Sequence, residues 1–231
     1  MFFPFYFDPT YVLLIPALLL AIYAQGKVQT TFRRYMHERS QAGMTGAQVA
    51  RELLDANGLH DVPVELIAGT LSDHYDPRTR RMRLSPQVYQ SASVAALGVA
   101  AHETGHAVQH SEAYIPLGVR NNLYPVASIG SQMAFPLFFI GFITWSEILM
   151  NVGIWLFIGA LAFQLVTLPV EYNASRRALN MLENSGYLTR AELPKAKQVL
   201  NAAALTYVAA AAMAASQLIR LLFLRGARDD R

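Results

Sequence analysis

Four long apolar runs divide the chain, and polar stretches carrying most of the charge lie between them. The first run, Tyr11 to Ala24, has no charge. As a helix, residues 1–25 are long enough to cross a bilayer core of about 30 Å. No basic region precedes this run and no small-x-small cleavage site precedes Gln25, so it reads as an uncleaved anchor and not as a signal peptide. The cluster Phe2-Phe3-Pro4-Phe5-Tyr6-Phe7 at its front suits an interfacial aromatic belt. The second and third runs, Tyr124 to Thr144 and Ile148 to Val170, are separated only by Trp145-Ser146-Glu147. They predict a transmembrane hairpin over 124–170 that returns the chain to the side it left. The last run, Val199 to Leu224, is Ala-rich and interrupted by Gln217 and Arg220. It reads either as a packed helix or as a fourth span. Its small residues favour a span against the other three, although Arg225, Arg228 and Arg231 would then end up outside.

Between the first two runs, residues 26–123 show soluble periodicities. Residues 45–59 predict an amphipathic helix, with Thr45 as cap, Val49, Leu53 and Leu54 on one face, and Gly58 as stop. Val62 to Ile67 alternates like a strand, and Asp73-His74-Tyr75 and Met82-Arg83-Leu84 flank the turn-like Asp76-Pro77-Arg78-Thr79, which predicts a small sheet. Ser85-Pro86 has the form of a helix start. From Ser93 onward the chain is apolar and Ala-rich, with no proline before Pro116, so a buried helix is expected there.

Composition agrees with a membrane protein. The 231 residues are 53% hydrophobic and only 15% charged, with a mean hydropathy of +0.25. The net charge of +3 does not indicate nucleic acid, because the basic residues cluster beside the apolar runs, where membrane orientation explains them. Lys27, Arg33, Arg34 and Arg39 follow the first run, and Arg176 and Arg177 follow the third. By the positive-inside rule both loops face the cytoplasm, and the N-terminus lies outside a multi-pass cell-membrane protein. The absence of cysteine excludes disulfides and thiolate metal ligands.

The chemistry concentrates in His102-Glu103-Thr104-Gly105-His106. On a helix, residues at i and i+4 share a face about 6 Å apart along the axis, so both imidazoles reach one ion. Glu103 then stands beside the metal, placed as a general base toward a water that zinc has made acidic. Buried polar groups of this kind need bonds or a metal. A catalytic zinc takes three protein ligands, and Glu171, a carboxylate directly after the third apolar run, stands where a third is wanted. His110 is too far along the helix from His102, by about 12 Å of rise. Glu112, Glu183 and Glu192 remain open as alternatives to Glu171.

HETGH, an apolar hairpin, Glu171 with a small residue three positions on, and the Leu84-Ser85-Pro86-Gln87-Val88-Tyr89 run together resemble the membrane zinc metallopeptidases of the HtpX and CAAX-prenyl-endopeptidase group. More closely, the chain is similar to the bacterial YugP-like neutral zinc metallopeptidases over nearly its whole length. The resemblance implies a gluzincin with ligands His102, His106 and Glu171, base Glu103, and one Zn2+ per chain. It departs at Ser175, where larger relatives carry an Asp that orients a zinc histidine. For the oxyanion, Tyr172, Arg176, Arg177 and Tyr187 are candidates, with Arg176 and Arg177 also readable as membrane anchors.

The expected fold is a mainly α membrane protein with three to four transmembrane helices and a small α+β zincin-like catalytic domain: an anchor over 1–25, a zincin-like segment over 26–123, the hairpin, and 171–231 carrying the Glu-ligand helix and the Ala-rich helix. The expected function is membrane-embedded zinc endopeptidase activity on membrane or membrane-proximal proteins, with any accessory membrane protein left open. The alternative is a helical membrane scaffold or binding protein whose metal site is absent or structural. A peptide substrate is expected to add as a strand along the sheet edge, with His74, Tyr75, Met82 and Leu84 as the edge residues.

Overall fold

A computed structural model describes residues 9–229; the aromatic cluster at Phe2 to Phe7 and Arg231 lie outside the described residues. The order is α1 (Ile15–Met36, entered through a 3-10 turn at Pro9–Leu14), α2 (Gly46–Ala56), β1 (Val64–Leu66), β2 (His74–Asp76), β3 (Arg81–Leu84), α3 (Pro86–Tyr89), α4 (Val94–Ser111), α5 (Ile115–Thr144), α6 (Glu147–Asn184) and α7 (Leu193–Asp229). Four stretches are helical, long and apolar enough to cross a membrane: Pro9–Met36, Ile115–Thr144, Glu147–Asn184 and Leu193–Ala227. The ambiguous last run therefore has the length and composition of a span.

These helices outrun the apolar stretches that announced them. Helix α1 continues past Gln25 through Lys27, Arg33 and Arg34, and α6 continues past Val170 to Asn184. Glu171, expected at the start of a new helix, instead lies deep within α6, with Pro169 just before it inside the same helix. Hydropathy falls at Val170, but nothing in Glu171 to Ala178 breaks a helix, so the backbone carries on.

The described residues group into two compact units, one of 9–23, 120–166 and 207–229, the other of 24–119 and 167–206. In the first unit, Ala134, Phe138, Met150, Ile154, Phe157 and Leu221 form the core. Small residues let α5 and α6 approach closely: a Cβ at Gly153 would lie 2.7 Å from the Ala134 carbonyl oxygen. Arg220 is buried here. Its Nε donates to Thr10 Oγ1 at 2.9 Å, and its guanidinium lies 4.0 Å from the centre of the Tyr11 ring.

The second unit holds the soluble elements. Thr45 and Gln48 close a reciprocal capping box on α2, and Gly58, at φ +73°, follows that helix in the left-handed region that favours glycine. The sheet order is β1-β3-β2, with β1 parallel and β2 antiparallel to β3. Asp76 holds the β2–β3 turn by accepting from Arg78 N and Thr79 Oγ1. This order corrects one expectation. β3 is the central strand, and Met82 and Leu84 are fully buried, so neither belongs to a free edge. The sequence marks three short strands but not their order, which the parallel β1–β3 pairing decides. Two clusters fill the unit. Phe32, Tyr35, Leu54, Val62, Met82 and Leu84 pack with the Ala-rich face of α4, and Val49, Leu53, Leu97, Leu182 and Leu188 form the other.

Candidate metal centre

Helix α4 is capped by Ser93, whose hydroxyl accepts from Ala96 N, and it carries alanines and two glycines, Gly98 and Gly105, that let other helices come close. The closest approach is at Gly105, where a Cβ would lie 2.7 Å from the Ala174 carbonyl oxygen on α6. That crossing sets Glu171 against the two histidines. His102 Nε2 lies 3.2 Å and His106 Nε2 3.6 Å from Glu171 Oε2, and the two rings meet edge to face with centres 4.7 Å apart. One ligand atom from each of the three lies within 4.8 Å of the others.

The donor set suits a divalent cation. His106 Nδ1 is turned to Gln109 Oε1 at 3.0 Å, and His102 Nδ1 to Ser175 Oγ at 3.2 Å. Both Nε2 atoms therefore face a carboxylate that is 3% exposed. A nitrogen lone pair against a buried carboxylate is repulsive unless a proton or a cation lies between them. Three convergent N/O donors with a further position left for water are what a catalytic zinc takes. Ser175 meets His102 with its hydroxyl, in the place of the acid that the resemblance led one to expect.

Glu103 is buried beside this group. Its Oε2 accepts from the Tyr75 amide at 2.9 Å. Met82, opposite Tyr75, donates its own N–H to Pro63 O on the far side, so the Tyr75 amide belongs to the outer edge of β2. Asp73, which accepts from Ser85 N and Oγ, has its carboxyl pKa raised by burial, against the pull of the two Ser85 bonds. The Tyr75 phenol, bonded to His110 Nδ1 at 2.9 Å, is likewise pushed up by burial.

The other sequence candidates lie elsewhere. Glu112 pairs with Arg177 at 2.7 Å, Glu183 is exposed, and Glu192 accepts from Gln41 N and from Thr189. Arg177 Nε donates to Asn173 Oδ1, so its guanidinium is turned to these partners. Tyr172 and Arg176 are exposed, and Tyr187 packs against an apolar cluster. On β2, His74 bonds Ser72 O and faces Arg83. Sequence reasoning missed Gln109 and Asn173. The signal for Gln109 was present, since it follows His106 at i+3 on the same helix face.

A family model described as "Putative neutral zinc metallopeptidase" matches residues 10–226. Over 220 residues, 94% of this chain and 97% of the relative, the sequence is 47% identical to the "Putative membrane protease YugP" of Bacillus subtilis (strain 168). No solved structure matches. A match spanning nearly every described residue, the metal-ready trio and four helices of membrane-crossing length lead to one assignment: the chain is a membrane protein that belongs to the neutral zinc metallopeptidase family.

Proposed function

We propose that the protein is a gluzincin-type endopeptidase with a zincin-like site, in which His102, His106 and Glu171 hold one zinc ion and Glu103 is the general base. The observation that carries this reading is the convergence of two imidazole Nε2 atoms on the buried Glu171 carboxylate. Zinc held there supplies Lewis acidity, polarising a peptide carbonyl and making water acidic enough to ionise near neutral pH. Glu103 takes the proton from the attacking water and returns it to the leaving amine. The Tyr75 amide holds one Glu103 oxygen, which leaves the other to receive that proton. The substrate lies extended along the outer edge of β2, where main-chain bonds give loose sequence selectivity.

The site works at the cytoplasmic membrane surface on membrane or membrane-proximal proteins. In support, Lys27, Arg33, Arg34, Arg176 and Arg177 all follow apolar runs on the same predicted side. Glu171 is also one residue beyond the run that ends at Val170. Metal analysis of purified protein tests the chemistry: about one zinc per chain is expected. Glu103→Gln should keep the zinc and lose hydrolysis of a general protein substrate. Retained hydrolysis in Glu103→Gln would refute the mechanism, and zinc loss would make Glu103 a ligand.

A further inference from the structure

Gln109 is completely buried between α4 and α6, and a buried primary amide must place two donors and an acceptor. Its Nε2 donates to the Val170 carbonyl and to Asn173 Oδ1, both at 2.9 Å. A carbonyl only accepts, so the amide orientation is fixed: nitrogen toward α6, oxygen toward His106. Asn173 is fixed in the same way, because its Oδ1 also accepts from Arg177 Nε at 2.8 Å and a guanidinium only donates. The oxygen of Gln109 therefore accepts from His106 Nδ1 at 3.0 Å. The ring hydrogen is on Nδ1, and the lone pair is on Nε2, facing Glu171. The chain of bonds begins near the surface at the Glu112–Arg177 pair.

We propose that Gln109 is a positioning residue of the metal centre: its amide sets the tautomer and tilt of His106 while holding the α6 backbone at Val170, next to Glu171, and Asn173 locks that amide. The inference rests on the metal-centre reading above and adds to it residues on which the resemblance is silent. One side chain couples two ligands on different helices. A ligand histidine that loses such a partner loses ring orientation and basicity, which typically costs 10–100-fold in metal affinity. Asn173 acts only as a double acceptor, so an isosteric carboxylate should replace it and an apolar residue should not.

The test uses full-length protein in detergent, stripped of metal and titrated with Co2+ against a chromophoric chelator, with the visible Co2+ bands recorded. Gln109→Met, similar in length and apolar, should bind roughly 10–100-fold more weakly and shift the band envelope. Asn173→Leu should weaken binding in the same direction, and Asn173→Asp should stay within about twofold of wild type. Melting of the metal-free forms separates positioning from folding. A Gln109→Met protein that binds like wild type with an unchanged spectrum overturns the inference while leaving the metal site standing. Should Gln109→Met fail to fold, equal affinities for Asn173→Leu and Asn173→Asp overturn it instead. Wild-type protein that takes up no Co2+ overturns the metal-centre reading itself, and the inference with it.

Discussion

A single methyl group at Gly105 would press on the Ala174 carbonyl at 2.7 Å, and backbone cannot move aside as a flexible side chain does. Gly105→Ala should therefore separate α4 from α6 at the level of Glu171. Overpacking of this kind costs about 1–3 kcal/mol, seen as a lower melting temperature, and zinc uptake should fall with it. Glu171→Ala should abolish stable zinc binding, whereas Glu112→Ala, Glu183→Ala and Glu192→Ala should leave metal content unchanged, because those carboxylates are directed elsewhere. Zinc analysis of the four variants decides it; loss in Glu183→Ala or Glu192→Ala with retention in Glu171→Ala would break the assignment. At this scale the histidines were legible because their i, i+4 spacing carries its own geometry. Gln109 shows only its i+3 spacing from His106, and Asn173 shows nothing, because an amide's role depends on what a second helix brings against it, and the α4–α6 crossing leaves only a glycine and an alanine as its trace.

The strands show what short elements conceal. Three or four residues reveal that a segment is extended but not which neighbour it takes, so β3 was credited with a free edge that its place between β1 and β2 denies it. An edge test therefore belongs on β2. Tyr75→Pro removes the one amide that reaches Glu103 without touching the β2–β3 ladder. It should lower kcat/KM at unchanged zinc content, while Tyr75→Phe, which keeps the amide and loses only the His110 bond, should be much milder. Equal kinetics for both variants and wild type would remove the Tyr75 amide from the positioning of Glu103. The order of the apolar runs was legible, but the last was left open between a packed helix and a span, and the helix ends were not legible, so one helix, α6, stands where a hairpin arm and a separate Glu171 helix were expected. Hydropathy marks where lipid contact is expected, and in α1 and α6 the helix ignores that mark.

For the whole molecule, the orientation proposal is testable because the chain has no cysteine. A cysteine introduced by Arg78→Cys, in the exposed β2–β3 turn, should resist a membrane-impermeant thiol reagent applied to intact cells and react once the cells are opened. Labelling from outside would reverse the topology and the expected pool of substrates. The contact of Arg220 with Thr10 and Tyr11 also bears on how the protein is made. Arg220 and Thr10 are 210 positions apart, and a ribosome adding about 5–20 residues per second needs roughly 10–40 s to cover that distance. For that interval the first helix has been made but the last has not, so Thr10 and Tyr11 wait without Arg220. The first unit reaches its final packing only when α7 arrives, so its assembly is paced by translation.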